Sequence, residues 1–284
     1  MARIDSLSIQ LQTNASAKDK LAEEYGKVIE NLQKSTISSV LKNNDLSGDP
    51  ASGTVEAKRF ANATAEDYGT ARGNGYAGKI KALPVVVPLN VNKEFIEEVE
   101  EKDLRTYGVS GLIERRTANQ EGAMKRLLER AFFTEAKTSG SALTLTATSA
   151  TEKLEEAIQS IETTSNNFVD GVERDLINVI ATPAFYGQVR NALDTGVNNS
   201  NVTTAVGEFG QFHGVDVYSS VYLPSGVDFI IMVKGSIAQP VLPSIYNPAK
   251  IELSDATAFG MFLYYGTKAV TPELIKYAGT EASL

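Results

Sequence analysis

The sequence has no cysteine, no tryptophan and a single histidine among its 284 residues. Without cysteine, the chain can form no disulfide framework and perform no thiol chemistry. Zinc sites draw mainly on cysteine and histidine, so this composition nearly excludes one. Any catalytic triad would have to use His213, and no G-x-S-x-G segment supplies a nucleophile for it. We therefore predict no catalytic, cofactor-binding or metal-binding residues, no cofactor, and a protein that is not an enzyme.

Long apolar runs and an excess of basic charge are also missing. Apolar runs such as FIIMV at 229–233 are far too short to cross a bilayer, and the N-terminus lacks the apolar region of a signal peptide. The net charge is -8, whereas dedicated nucleic-acid readers usually have a basic face. These features predict a chain that is soluble and intracellular at synthesis, has no membrane partner, and contacts nucleic acid at most weakly.

A glycine-rich segment is the most distinctive local feature that is present. Residues 73–79 fit both the dinucleotide pattern G-x-G-x-x-G and most of a phosphate-binding loop. Both sites need a helix directly after the glycines, because its N-terminal N–H groups bind the phosphate. Here Ile80 replaces the required Ser or Thr, and Pro84 and Pro88, with three valines between them, favour extended structure. We interpret the segment as the exposed turn of a long hairpin arm over residues 54–90.

The spacing of apolar residues predicts an α+β protein without a regular βαβ rhythm. The longest element is a helix over residues 110–137, in which Met124, Leu127 and Leu128 recur at core spacing. Further predicted elements are an amphipathic helix over 17–42, an acidic helix over 92–108, a helix from the Ser149–Glu152 capping box, a strand over 176–181 with a helix from Thr182-Pro183, paired strands on either side of the turn 224–226, and closing strands over 250–255 and 258–278.

The acidic helix carries the densest group of carboxylates, Glu97, Glu98, Glu100 and Glu101. Paired carboxylates can hold a metal or perform acid–base catalysis. On a helix, however, these four side chains point to different sides, so the pattern favours a solvated or intersubunit face.

Segments in the second half of the chain resemble those of one protein family. INVIATPAFYGQVRNAL at 177–193 is similar to its strand-to-helix segment ATP-x-x-Y, and FHGVDVYSSVYLPSG at 212–226 is similar to its hairpin G-V-x-V-x-x-S-x-x-L-P-x-G. MVKGSIAQP at 232–240 and YYGTKAVTPELI at 264–275 are also similar to family segments. Together with the order of the predicted elements, these segments make the chain resemble the major capsid protein of tailed bacteriophages, which has the Hong Kong 97 fold.

The resemblance implies an α+β, Hong Kong 97-type capsid fold with four parts. Residues 1–48 would be an N-terminal arm, residues 49–90 an extended E-loop hairpin that reaches over a neighbouring subunit, residues 91–165 and 246–284 a peripheral domain with the long spine helix, and residues 166–245 an axial domain near the capsomer centre. The glycines of the E-loop would let its tip bend differently at inequivalent positions of a shell.

The resemblance also implies a function. Many copies would self-assemble, as hexamers and pentamers, into the icosahedral head of a tailed bacteriophage that encloses packaged double-stranded DNA. The expected location is the virion capsid, after assembly in the host cytoplasm. The expected partners are other copies of the chain, a portal, and DNA through weak non-specific contacts. A separate scaffolding protein is also expected, because the E-loop begins within about fifty residues of Met1.

Contacts between subunits are expected at Tyr76, Lys79 and Lys81 in the E-loop and at Arg115 and Arg116 on the spine helix. Some relatives form covalent Lys–Asn cross-links, and Lys58, Lys79, Lys81 and Asn247 are candidates here, but no motif fixes a pair. Residues 1–42 are expected to be dispensable for the folding of the main domains, because their apolar stripe has no partner nearby in the sequence.

Two other functions remain open at this point. An encapsulin-type compartment with a protein cargo would have the same fold. A small-molecule enzyme would instead form a small oligomer with a ligand-filled pocket, and the long arm of residues 54–90 argues against it.

Overall fold

The computed structural model describes residues 36–62, 67, 82–100, 102, 109–195, 210–250 and 256–279. Its α-helices are α1 (Ile37–Leu41), α2 (Val109–Ser139), α3 (Ala150–Glu162) and α4 (Pro183–Thr195). Its strands are β1 (Thr54–Phe60), β2 (Ala82–Pro88), β3 (Val91–Val99), β4 (Ser141–Ala142), β5 (Ile177–Ala181), β6 (Gln211–Phe212), β7 (Val215–Ser219), β8 (Phe229–Val233), β9 (Ile237–Ala238), β10 (Val241–Lys250), β11 (Thr257–Tyr265), β12 (Lys268–Ala269) and β13 (Ile275–Ala278). Short 3-10 helices lie at Pro50–Ser52, Arg174–Leu176 and Pro272–Leu274. No helix within these ranges has the length and apolar character needed to span a membrane.

A six-stranded sheet with the order β4-β13-β8-β5-β7-β6 forms the centre of the fold. All five residues of β5 are buried. On the neighbouring strand β8, Phe229 and Ile231 pack into one core with helices α3 and α4, whereas Ile230 and Met232 pack into a second core with α2. Because both faces of the sheet are covered, these strands have continuous apolar sequences rather than alternating ones.

The prediction that the strands on either side of residues 224–226 pair with each other is wrong. β7 and β8 both pair with β5, which lies between them, β7 in parallel and β8 antiparallel. The hairpin partner of β7 is instead β6, across the turn at His213 and Gly214. β5 is apolar on both faces, so a central position between two strands buries it best.

The predicted acidic helix over 92–108 is also wrong in its first part, because Val91–Val99 form the strand β3. Residues 103–108 of that prediction lie outside the described residues. From Phe95 onward, alternate side chains of β3 turn towards the protein, so that Phe95 and Glu97 are half-buried and Val99 is buried. This period of two residues suits a strand, and it outweighs the helical preference of the glutamates.

β3 pairs with β11 over nine residues, in a second sheet with the order β10-β11-β3. The close approach of the two strands requires a glycine at position 260, because a Cβ atom there would lie 2.1 Å from the carbonyl oxygen of Phe95. β11 lies about 160 residues after β3 in the sequence. Local sequence patterns contain no information on such a distant partner.

The other predicted helices are confirmed. α2 has 31 residues and is about 46 Å long at 1.5 Å per residue. Helix α3 begins at Ser149, whose hydroxyl accepts a hydrogen bond from the N–H group of Glu152 at 3.3 Å. Thr182 precedes α4, and Pro183 occupies its first position. The side chains of α3 that were predicted to face inward are all buried, namely Leu154, Ala157, Ile158 and Ile161.

The N-terminal segment is anchored by a buried carboxylate on α2. Of the predicted helix over 17–42, the structure describes only the end, where α1 occupies Ile37–Leu41. Glu129, only 4% exposed, accepts a hydrogen bond from the N–H group of Ser38 at 2.9 Å. Burial raises the pKa of this carboxyl, and the hydrogen bonds from the α1 segment oppose the shift. The contact holds the first turn of α1 against the long helix.

Leu41 is fully buried in the second core, together with Phe132 and Phe133 of α2. The expectation that residues 1–42 are dispensable for folding is therefore wrong for the last part of that range. Leu41 fills a position in the core that no residue elsewhere in the sequence is placed to take.

Arg174 ties helix α3 to the start of the central strand β5. Its guanidinium donates hydrogen bonds to Glu162 and Glu155, each at 2.7 Å. These bonds lower the pKa of both carboxyls below their ordinary value of 4.5. All three side chains are between 26% and 30% exposed, so solvent screens the interaction in part.

We expect Leu41→Ala to lower the free energy of unfolding by about 2–5 kcal/mol, because it leaves a cavity in the second core. Urea denaturation measures this loss. Val40→Ala is the control, since Val40 is 39% exposed and its truncation leaves no cavity. Equal losses in the two variants would show that α1 does not contribute to the core.

We expect Arg174→Gln to make stability less dependent on pH in the acid range. Because the pKa values of Glu155 and Glu162 are lower in the folded than in the unfolded chain, the stability that they contribute is present above about pH 4.5 and is lost as the pH falls through the lowered values. The variant should be less stable at neutral pH and lose less stability on acidification. Arg116→Gln, at a more exposed ion pair, is the control for urea denaturation between about pH 7 and pH 3. An unchanged slope in Arg174→Gln would contradict the assignment.

Candidate assembly surfaces

The predicted hairpin arm is confirmed. β1 and β2 pair antiparallel from Thr54–Pro88 to Phe60–Ala82. The turn of the hairpin falls largely outside the described residues, and so do the contact candidates Tyr76, Lys79 and Lys81. The described part of the arm therefore consists of its two strands.

One face of the hairpin packs on the protein. Val55, Ala57 and Val87 are buried in a small third core with Ala238 of β9 and Val270. The main chain of β1 is also bonded at this level, because Glu56 and Ser47 exchange two N–H···O hydrogen bonds at 2.8 Å. The base of the arm is thus part of the folded body.

Arg59 is a second anchor of the arm, and sequence analysis missed it. Its guanidinium forms an ion pair with Glu273 and lies 4.3 Å from the centre of the Phe168 ring. Nearby, the N–H group of Asn62 donates a hydrogen bond to the carbonyl of Asn167 at 3.0 Å. These partners are more than 100 residues away in the sequence, so only the fold reveals them.

The other face of the hairpin is exposed and largely apolar. Phe60 is 55% exposed and Val86 is 43% exposed. The register places six exposed residues on this face, namely Glu56, Lys58, Phe60, Ala82, Pro84 and Val86. We call this set the arm face. The alternation of TVEAKRF, with Val55 and Ala57 inward, contains the signal that could have identified it.

A second exposed surface lies on β3. Asn92, Glu94, Ile96 and Glu98 are all exposed on one face of the strand, and Ile96 is 52% exposed. On the adjacent strand β11, the half-buried Phe262 and Tyr264 lie on the same face. We call the four residues of β3 the β3 face. Two glutamates flank its central isoleucine.

The two arginine candidates on α2 are exposed, and one of them already has a partner within the chain. The guanidinium of Arg116 donates two hydrogen bonds of 2.5 Å to Glu97 of β3. This bonding raises the pKa of Arg116, and the guanidinium is still 45% exposed. The ion pair fixes the start of the long helix against the β3 sheet, and contact of Arg115 or Arg116 with a second subunit stays a prediction.

His213 lies in the tight turn between β6 and β7, where its φ is 48°. Its ring stacks on Phe212, and Nδ1 lies 3.2 Å from Glu155, whose carboxylate is also bonded to Arg174. This is a network of surface ion pairs rather than a base beside a nucleophile. Within the described ranges, no three side chains are grouped to hold a metal ion.

A cavity of about 160 Å³ opens beside Phe185 and Phe229, with Lys153 and Asp228 in its wall. Sites for small ligands usually have volumes of about 300–1,000 Å³. This cavity is therefore small for a substrate or cofactor, and the exposed surfaces of the strands are the more prominent features.

The fold is similar to that of solved capsid structures. No protein-family model matches the chain, and no curated protein matches it significantly in sequence. The capsid structure of the cyanophage P-SCSP1u covers 87% of this chain and 88% of its own, with 14% identity and a TM-score of 0.61. A structure from Mycobacterium phage Che8 covers 81% of this chain and 86% of its own, with 16% identity and a TM-score of 0.59. A virus-like particle from Pyrococcus furiosus covers 90% and 98%, with 13% identity and a TM-score of 0.55. The chain therefore has the Hong Kong 97-type capsid fold that its sequence resembles.

Proposed function

We propose that the chain is the major capsid protein of a tailed bacteriophage, and that many copies self-assemble into an icosahedral head around packaged double-stranded DNA. The observation that carries this proposal is the hairpin arm, within a fold shared with capsid structures over most of the chain. One side of the arm is built into the core, whereas Phe60 and Val86 on the other side are exposed. Exposed apolar groups on a rigid hairpin are typical of a binding surface.

Within this proposal, the four-part division keeps the boundaries given by the resemblance. Residues 1–48 act as the N-terminal arm, 49–90 as the E-loop, 91–165 and 246–284 as the peripheral domain, and 166–245 as the axial domain. Tyr76, Lys79, Lys81, Arg115 and Arg116 contact neighbouring subunits in hexamers and pentamers. The role is structural rather than enzymatic.

The proposal includes partners of other kinds. A separate scaffolding protein and a portal take part in assembly in the host cytoplasm, and the finished shell is the virion head. The genome meets a chain of net charge -8, so only a few Lys and Arg side chains neutralise phosphates. Contact with DNA is therefore weak, non-specific and sensitive to salt.

A second function of the same fold is supported by one comparison. The virus-like particle from Pyrococcus furiosus is matched over 98% of its own chain. An encapsulin-type compartment that encloses a protein cargo would use the same self-assembly, and it differs from a phage head in its contents.

We expect the purified protein to form closed shells that electron microscopy resolves as particles with fivefold and sixfold clusters of subunits. Particles from the natural source should contain double-stranded DNA that is protected from nuclease. Shells filled with a folded protein and free of DNA would favour the compartment. A stable small oligomer at all concentrations, with a ligand bound in a pocket, would contradict both functions and favour an enzyme.

A further inference from the structure

We propose that the arm face packs on the β3 face of a second copy of the chain, with Lys58 of the arm next to Glu94 and Glu98 of that copy. The inference rests on the proposed function only in requiring that copies of the chain associate. It adds which two surfaces meet and how they bind.

The edges of the hairpin are closed to further strands, so binding must use a face. Glu56 is bonded to Ser47 on the outer edge of β1, and its cross-strand partner Val86 therefore directs its main-chain groups to the outer edge of β2. Pro84 and Pro88 have the same orientation and lack an N–H group. The outward carbonyl of Val86 accepts a hydrogen bond from Lys268 at 3.0 Å. Addition of a strand to the arm is thus disfavoured on both sides.

The two faces match in apolar character. Phe60 and Val86 on the arm face and Ile96 on the β3 face are all between 43% and 55% exposed. They do not cover one another within a single chain, because Arg59 holds the arm to Glu273 and Phe168 of the same subunit. The arm face therefore needs a second molecule to bury it.

The two faces are also opposite in charge. Residues 54–90 contain five basic and three acidic side chains, so the arm is positive within a chain whose net charge is -8. Residues 91–102 contain two basic and five acidic side chains. Contact between an arm and β3 is therefore attractive, whereas contact between two arms or between two β3 faces is repulsive. The charges select a head-to-tail arrangement, which can continue from copy to copy.

An exchange of charges tests the pairing. We expect Lys58→Glu alone, and the double change Glu94→Lys with Glu98→Lys, each to reduce the yield of assembled particles about fivefold or more at low salt. Combining all three changes should restore most of the yield. Lys93→Glu is the matched control, because Lys93 lies on the same strand but on the opposite face. Sedimentation velocity measures the yields, and circular dichroism verifies the fold of each variant.

The absence of cysteine permits a second test, which does not require complete shells. A Phe60→Cys copy and an Ile96→Cys copy that carries a size tag are mixed under a mild oxidant. We expect a mixed disulfide dimer between them to predominate over dimers of either copy alone. The control is a Val221→Cys copy in place of Ile96→Cys, since Val221 is 71% exposed on a distant loop.

The two proposals fail in different ways. If the unchanged chain forms shells but the charge exchange restores nothing, or if Lys93→Glu is as harmful as Lys58→Glu, the pairing is wrong and the shell function stands. If no shells form but the Phe60–Ile96 disulfide predominates, the pairing stands and the shell function is wrong. Equal cross-linking of Phe60→Cys to the Val221→Cys control would overturn the pairing.

Discussion

The structure depends on hydrogen bonds from side chains on or against the long helix to main-chain groups that lie outside regular ladders. Glu129 accepts from the N–H group of Ser38, and Glu135 accepts from the N–H group of Ala269, both at 2.9 Å. In the other direction, the amide of Gln239 donates to a carbonyl of the helix at 2.9 Å. A buried main-chain group without such a partner costs about as much as a lost hydrogen bond. Short and irregular segments can pack on α2 only because the helix satisfies these groups.

This arrangement separates two jobs within one subunit. The two cores on either side of the central sheet hold helices, strands and the N-terminal segment together. The hairpin adds only a small third core, with Val55, Ala57 and Val87 as its contribution. Most of the residues of β2 remain exposed. A subunit can therefore complete its own core and still keep apolar surface for association.

The sequence predicted the elements that local patterns determine. The long helix, the capped helix α3 and the strand-to-helix unit at Pro183 follow from spacing and capping residues, and all of them occur. The resemblance to capsid proteins also predicted the fold correctly. Local patterns failed where a distant partner decides. Val91–Val99 is rich in glutamate but pairs with β11, and β7 and β8 are separated by β5, which precedes both in the sequence. The anchor of Arg59 on Glu273 joins residues 214 apart, so no motif could have indicated it.

The two prolines of β2 also affect what happens to the chain before it finds its partners. A protein made in many copies is present at high local concentration, and exposed hairpins at high concentration tend to stack strand on strand into fibrous aggregates. Pro84 and Pro88 remove two of the donors that such stacking needs, and the ammonium group of Lys268 occupies the carbonyl between them. Newly made subunits can therefore accumulate with an apolar surface exposed and remain available for ordered association.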